Sequence, residues 1–275
     1  MKPSSFEYQR PDSLAAAMAA LAGQEATPMS GGQSLLILLR MRMTEASTLI
    51  DVSRLPELSA SSLDQGILRI GAGTTHAAIE DGLVPDASCG MMARVAGGIA
   101  YRAVRNVGTI GGSLALSDPA ADWPVCLLAL GASVVVQGES GERRHAMADF
   151  LTGTFTTLLE PGELLTRIEM PALPTGSRWG YAKLARKHGA FADSLGAAVL
   201  PAGGDPRMVL GATMEHARLL TRSMEALARD PDLGWDVLAP ILRDDIAEAD
   251  PNADAYRLRC HVATLRKALL QARGY

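Results

Sequence analysis

Residues Arg105–Pro124, RNVGTIGGSLALSDPAADWP, decide how this chain is read. Gly108, Gly111 and Gly112 free the main chain for left-handed turns and for close approach to another group. Successive N–H groups can then point at one anion, and Thr109 and Ser113 add hydroxyl donors. Asp118-Pro119 predicts a helix start, with Asp as N-cap and Pro in the first turn. The apolar run to Leu130 propagates that helix, and Gly131 ends it.

A second glycine turn, Ser30-Gly31-Gly32-Gln33-Ser34, follows a short strand and enters the apolar helix LLILLRM. Two adjacent glycines between serines offer donors with no Cβ in the way, the arrangement that suits a phosphate. A plain structural turn would also use glycine. Two such turns from distant parts of the chain fit a pyrophosphate gripped from both sides, and so a dinucleotide. Gly71-Ala72-Gly73-Thr74-Thr75-His76 begins like a dinucleotide fingerprint, but His76 stands where the third glycine belongs and the next helix is short. It reads as a tight strand-to-helix turn, with His76 as a local hydrogen-bonding residue, the alternative being a functional base. Arg102 and Arg105 stand just before the central stretch; they suit a phosphate and equally a helix C-terminus.

The chain has 275 residues, 48% hydrophobic and 20% charged, with a net charge of −4, and nothing in that balance marks a nucleic-acid binder. No apolar run reaches the length of a membrane span, and no secretory leader is legible, so a cytoplasmic location is expected. Cys89, Cys126 and Cys260 form no C-x-x-C pair, so an iron–sulfur cluster would have to sit in another subunit. There is no GxSxG elbow, Walker lysine or HExxH pair. No catalytic residue and no metal ligand is expected. Asp118 and Asp122 share a helix face on this reading, Asp118 as cap and Asp122 toward a ligand hydroxyl or solvent.

Around these motifs the pattern is α+β. Asp12-Ser13 caps a helix with Leu14, Met18 and Leu21 on one face, closed by Gly23. Strands are predicted at Thr48–Val52, Ile67–Ile70, Ala132–Gln137, into His145, and at Glu163–Met170. A helix over Pro85–Val104 is interrupted by Gly90 and Gly97-Gly98. Met170–Gly176 is a linker by composition, and the main domain boundary is placed there. Beyond it come strands at Gly180–Ala185, Leu195–Pro201 and Met208–Ala212. The last helix has one face of Leu258, Val262, Leu265, Leu269 and Ala272, with Gly274 past its end.

Ser30–Leu35 resembles the AGGQSL motif, and Asn106–Asp122 the NRGTIGGSLAHADPAAD motif, of the FAD-binding medium subunit of molybdenum hydroxylases, the group of carbon monoxide and xanthine dehydrogenases. The likeness continues through FEYQRPDSLAAAM, IGAGTTHAAIE, IAYRAVRN, FTTLLEPGELLTRIEMP and YAKLARKHGAFA. It implies a two-subdomain FAD-binding fold of the vanillyl-alcohol oxidase (PCMH) type over residues 1–172 and a small C-terminal α+β domain over 173–275. The implied cofactor is FAD, its pyrophosphate held by Ser30, Gly31, Gly32, Gln33 and Ser34 and by Thr109, Ile110, Gly111, Gly112 and Ser113. Asp122 would meet the polyol chain and Lys183 the flavin edge.

The resemblance also implies partners. A large molybdopterin subunit would oxidise substrate, and a small subunit with 2Fe–2S clusters would pass electrons to FAD and on to an external acceptor. The rivals are a free-standing flavin oxidase or dehydrogenase of the same fold, and a docking subunit without flavin. Val107 replaces the family's usual Arg and Leu116 its usual His. The segment between Ala192 and Met214 is shortened.

Overall fold

A computed structural model describes residues 2–22 and 26–275. Near the N-terminus, Thr48–Asp51 is the middle strand of a parallel three-stranded sheet between Glu7–Gln9 and Ala26–Met29. The Leu14–Leu21 helix packs against it, capped by Ser13 Oγ, which accepts from the Ala16 N–H. Gly23, expected to close that helix, lies outside the described residues.

The second sheet has five antiparallel strands in the order Ser61–Asp64, Ile67–Gly71, Leu164–Pro171, Ser133–Gly138, Gly141–Ala146. Leu164–Pro171 is central and buried on both faces over most of its length, whereas the edge strand Gly141–Ala146 alternates half-buried and exposed. The β-branched run Val134–Val136 supplies three fully or nearly fully buried side chains. A bulge between Leu165 and Arg167 shifts the register against Ser133–Gly138.

The third sheet is antiparallel, ordered Arg178–Leu184, Ser194–Leu200, Arg207–Gly211, Arg218–Leu219, and the Ala255–Arg273 helix covers one face. On its other face Leu195, Ala197, Val199 and Val209 join the main core around Trp123, Phe150, Ile70 and Leu114. That core therefore crosses position 172. The third sheet is also tied down by a buried chain: Ser194 Oγ lies 2.8 Å from His261 Nδ1, and His261 Nε2 lies 3.2 Å from Asp250 Oδ2. All three side chains are sealed from solvent, so this Ser-His-Asp series is a structural tie with no access for a substrate.

Two sequence expectations fail locally. Residues 85–90 are not helical; helix runs from Met91 to Gly97 and again from Arg102 to Arg105. Asp86 instead folds onto the next turn, its carboxylate accepting from the N–H groups of Ser88 and Gly90. Asp118-Pro119 does not begin a helix either. Asp118 Oδ1 accepts from the Ala120 N–H, closing a local turn after Ser117 at φ 54°, and extended Ala121 precedes the true helix, Asp122–Ala129. Every residue of that helix is buried, which explains why it is apolar all round after Asp122. Gly131, at φ 68°, does follow its end.

Candidate dinucleotide site

The two glycine stretches meet. A Cβ on Gly31 would run into the Val107 carbonyl and come within 2.8 Å of Gly108 Cα, and Thr109 Oγ1–H donates to Ser30 Oγ at 3.0 Å. They line one cavity of about 730 Å³, the scale of a small-molecule site.

The stretches differ in what they offer. The N–H groups of Gly31, Gly32, Gln33 and Ser34 donate to no acceptor among the described residues. Ser34 precedes the Leu35–Met41 helix without a side-chain cap, and Gly32 holds φ at 66°. This is a run of main-chain donors suited to phosphate oxygens. In the second stretch the main-chain donors are largely spent. Ile110 and Gly111 donate to Thr74 and Ala72 carbonyls, Gly112 to Thr109 Oγ1, and Ser113 to the Thr109 carbonyl.

The Ile110–Leu116 helix is therefore capped by Thr109 from within the protein. Gly111 is small because its Cα presses on Ala72, whose carbonyl oxygen would be 2.6 Å from a Cβ. Ile110, expected at the cofactor, has its side chain in the core. Thr109, Gly111, Gly112 and Ser113 remain on the cavity wall.

Asp122, at the first turn of its buried helix, faces the same cavity and accepts from Lys183 Nζ at 2.9 Å and from Tyr181 O–H at 2.7 Å. Burial pushes the Asp122 carboxyl above the ordinary carboxylate range, and Lys183 and Tyr181 only partly offset it. Lys183 is the sole cation among the described residues lining the cavity. Arg102 and Arg105 do not line it: they pair with Glu80 and Asp81, and Arg105 also donates to the carbonyls of Ile99 and Ala100.

His76, read from sequence as a local hydrogen-bonding residue, is also on the cavity wall. Its Nδ1 accepts from Trp123 Nε1–H at 3.0 Å, and burial, helped by Arg105, lowers its pKa to about 4. Sequence reasoning missed the Glu160–Leu165 turn and strand, Ile99-Ala100 and Phe191, which complete the wall, and Tyr181, which holds Asp122. Their only local signal is apolar or turn character. Of the two departures noted in sequence, Val107 touches Gly31 through its main chain and exposes its side chain, whereas Leu116 lines the cavity.

Free main-chain donors and hydroxyls at one part of a long cavity, with an acid–lysine pair at another, fit FAD: donors for the pyrophosphate and polar groups for the hydroxylated chain. The class so defined is a flavoprotein of the two-glycine-loop kind. Residues 4–173 match the family described as the FAD binding domain in molybdopterin dehydrogenase, and the chain belongs to that family.

It is an FAD-dependent oxidoreductase subunit of the medium-chain type found in molybdenum hydroxylases of the xanthine dehydrogenase family. The carbon monoxide dehydrogenase medium chain of Hydrogenophaga pseudoflava is 35% identical over 221 residues, 80% of this chain and 75% of that one. The 6-hydroxypseudooxynicotine dehydrogenase complex subunit alpha of Paenarthrobacter nicotinovorans is 40% identical over 194 residues, 70% of this chain and 66% of that one. Among solved structures, a carbon monoxide dehydrogenase from Hydrogenophaga pseudoflava superposes with a TM-score of 0.92 at 32% identity, covering 99% of each chain. Quinoline 2-oxidoreductase from Pseudomonas putida 86 gives 0.90 at 33%, covering 100% of this chain and 99% of that one.

Proposed function

We propose that this chain relays electrons, by way of FAD, from iron–sulfur clusters of a small partner subunit to an external acceptor, in a complex whose large subunit carries molybdopterin. The observation that carries the reading is the joined pair of glycine loops on one cavity. Its three cysteines are free and far apart, one exposed and two buried, so they supply no cluster ligand set. Leu36, Ile37, Met41 and Met43, all exposed on and just after the helix that follows Ser34, give an apolar surface beside the cavity for a partner.

On this reading residues 1–172 form the FAD-binding domain and 173–275 a C-terminal domain, and the complex works in the cytoplasm. FAD, when bound, supplies the redox chemistry. Ser30 to Ser34, with Thr109, Gly112 and Ser113, hold its pyrophosphate by N–H and O–H donors. Asp122 accepts from a hydroxyl of the chain linking pyrophosphate to ring, and Lys183 keeps that carboxylate ionised and placed. Gly111 serves the packing on Ala72.

The test is an absorption spectrum after FAD addition and desalting, for the wild type and for Gly112→Asp. A Cβ at Gly112 meets no main chain, only the side-chain atoms Thr109 Oγ1 at 2.9 Å and Ser30 Cβ at 3.9 Å, so this change puts a carboxylate at the cradle and displaces the Thr109 hydroxyl. A flavin spectrum in the wild type and its loss in a folded variant are expected. A folded wild type that stays colourless would sink the reading. The relay is tested by anaerobic mixing with the reduced iron–sulfur partner, which should bleach the bound flavin's visible band.

A further inference from the structure

One ring on the cavity wall is unexplained by the two loops. His76 opens the His76–Glu80 helix and is only 6% exposed. The indole of Trp123 can only donate, so His76 Nδ1 must be the acceptor, and a neutral imidazole then carries its hydrogen on Nε2. That edge lies against Gly108, where a Cβ would stand 2.9 Å from Nε2 and 3.0 Å from Cδ2. Nothing among the described residues accepts from Nε2. A buried side chain thus presents a directed donor beside the stretch whose own main-chain donors are mostly spent, and glycine at 108 leaves that donor uncovered.

We propose that His76 is a further cofactor-binding residue, its Nε2–H donating to a pyrophosphate oxygen of FAD, with Trp123 the positioning residue that fixes the tautomer. The proposal rests on the reading of the cavity as an FAD site. A neutral donor suits the place. Lys183, the sole lining cation among the described residues, is already committed to Asp122, so the pyrophosphate is met by fixed dipoles. The depressed basicity of His76 keeps the donor pattern unchanged at neutral pH and leaves Nδ1 free for Trp123.

Two measurements decide it, both on the full chain stripped of flavin. The first is FAD affinity from flavin fluorescence for the wild type, His76→Gln, His76→Phe and Trp123→Phe. Gln keeps an amide donor where Nε2 was, and Phe removes it. Loss of a hydrogen bond to an anionic oxygen predicts affinity at least about tenfold weaker for His76→Phe, and a loss within about threefold for His76→Gln. Trp123→Phe should fall between them.

The second is ¹⁵N NMR with labelled histidine, tractable because the chain has five. It needs no substitution at His76 and so decides the matter even if a variant fails to fold. The expected spectrum has His76 as the Nε2–H tautomer, with Nε2 shifting on FAD addition. A His76 signal indifferent to bound FAD, an Nδ1–H tautomer, or wild-type affinity in His76→Phe would overturn the proposal while leaving the cofactor reading intact. A wild type that binds no FAD overturns both.

Discussion

Lys183→Met removes one half of a buried pair and leaves the other behind. Asp122 is 6% exposed and would keep only the Tyr181 hydroxyl at 2.7 Å, having lost the ammonium at 2.9 Å. An uncompensated buried carboxylate costs about 3–5 kcal/mol. In a chain of this size that lowers the melting temperature by roughly 10 °C.

The penalty must depend on pH. The carboxyl pKa is already raised by burial, and losing Lys183 raises it further. A carboxyl whose folded pKa exceeds its unfolded one destabilises fully above the folded pKa, and the effect vanishes below the unfolded pKa, about 3.9. The gap between Lys183→Met and wild type should therefore shrink as pH falls from 8 toward 4. Replacing both partners, Asp122→Asn with Lys183→Met, should recover most of the loss, because no ion is left stranded. The assay is urea unfolding followed by tryptophan fluorescence at several pH values. A Lys183→Met chain as stable as wild type at pH 8, or a double variant whose loss is the sum of the two single ones, would refute the reasoning.

Two further outcomes are expected. His76 titrates at about 4 in the folded chain against an ordinary 6.5, so the unfolded chain binds the extra proton between those values and stability falls as pH drops through them. The full effect is about 3 kcal/mol, and in urea melts from pH 7 to 4 a His76→Gln chain should lack it. Gly31→Ala places a methyl against the Val107 carbonyl, main chain that cannot swing aside, so the loops must part. Destabilisation of about 1–3 kcal/mol is expected with weakened FAD retention; an unchanged melting temperature would show that the loops do not press together.

Features that depend on a few neighbouring residues were open to reading from the sequence. Glycine turns, the Ser13 cap, the β-branched run at Val134–Val136 and the final amphipathic helix are set by local backbone freedom and periodicity, and they stand where the spacing puts them, within a residue or two. Helix starts written in Asp and Pro were less secure. Asp118 can satisfy N–H groups in a turn as readily as in a helix, and extended Ala121 chose the turn, moving the start to Asp122.

Other features were decided only by tertiary contact. Gly31 and Gly111 line the cavity as the sequence suggests, but what forbids a side chain at each is another piece of the chain pressed against it, not the ligand. Asp122 meets Tyr181 and Lys183 across about sixty residues, and Arg102 and Arg105 turn to Glu80 and Asp81 instead of to the cavity. No local pattern encodes such meetings. The sequence by itself determined which backbone segments could cradle an anion, because glycine's freedom is a property of the residue. Which N–H groups stayed free to do so was fixed by the fold, because a donor's availability depends on what carbonyl the rest of the chain brings to it.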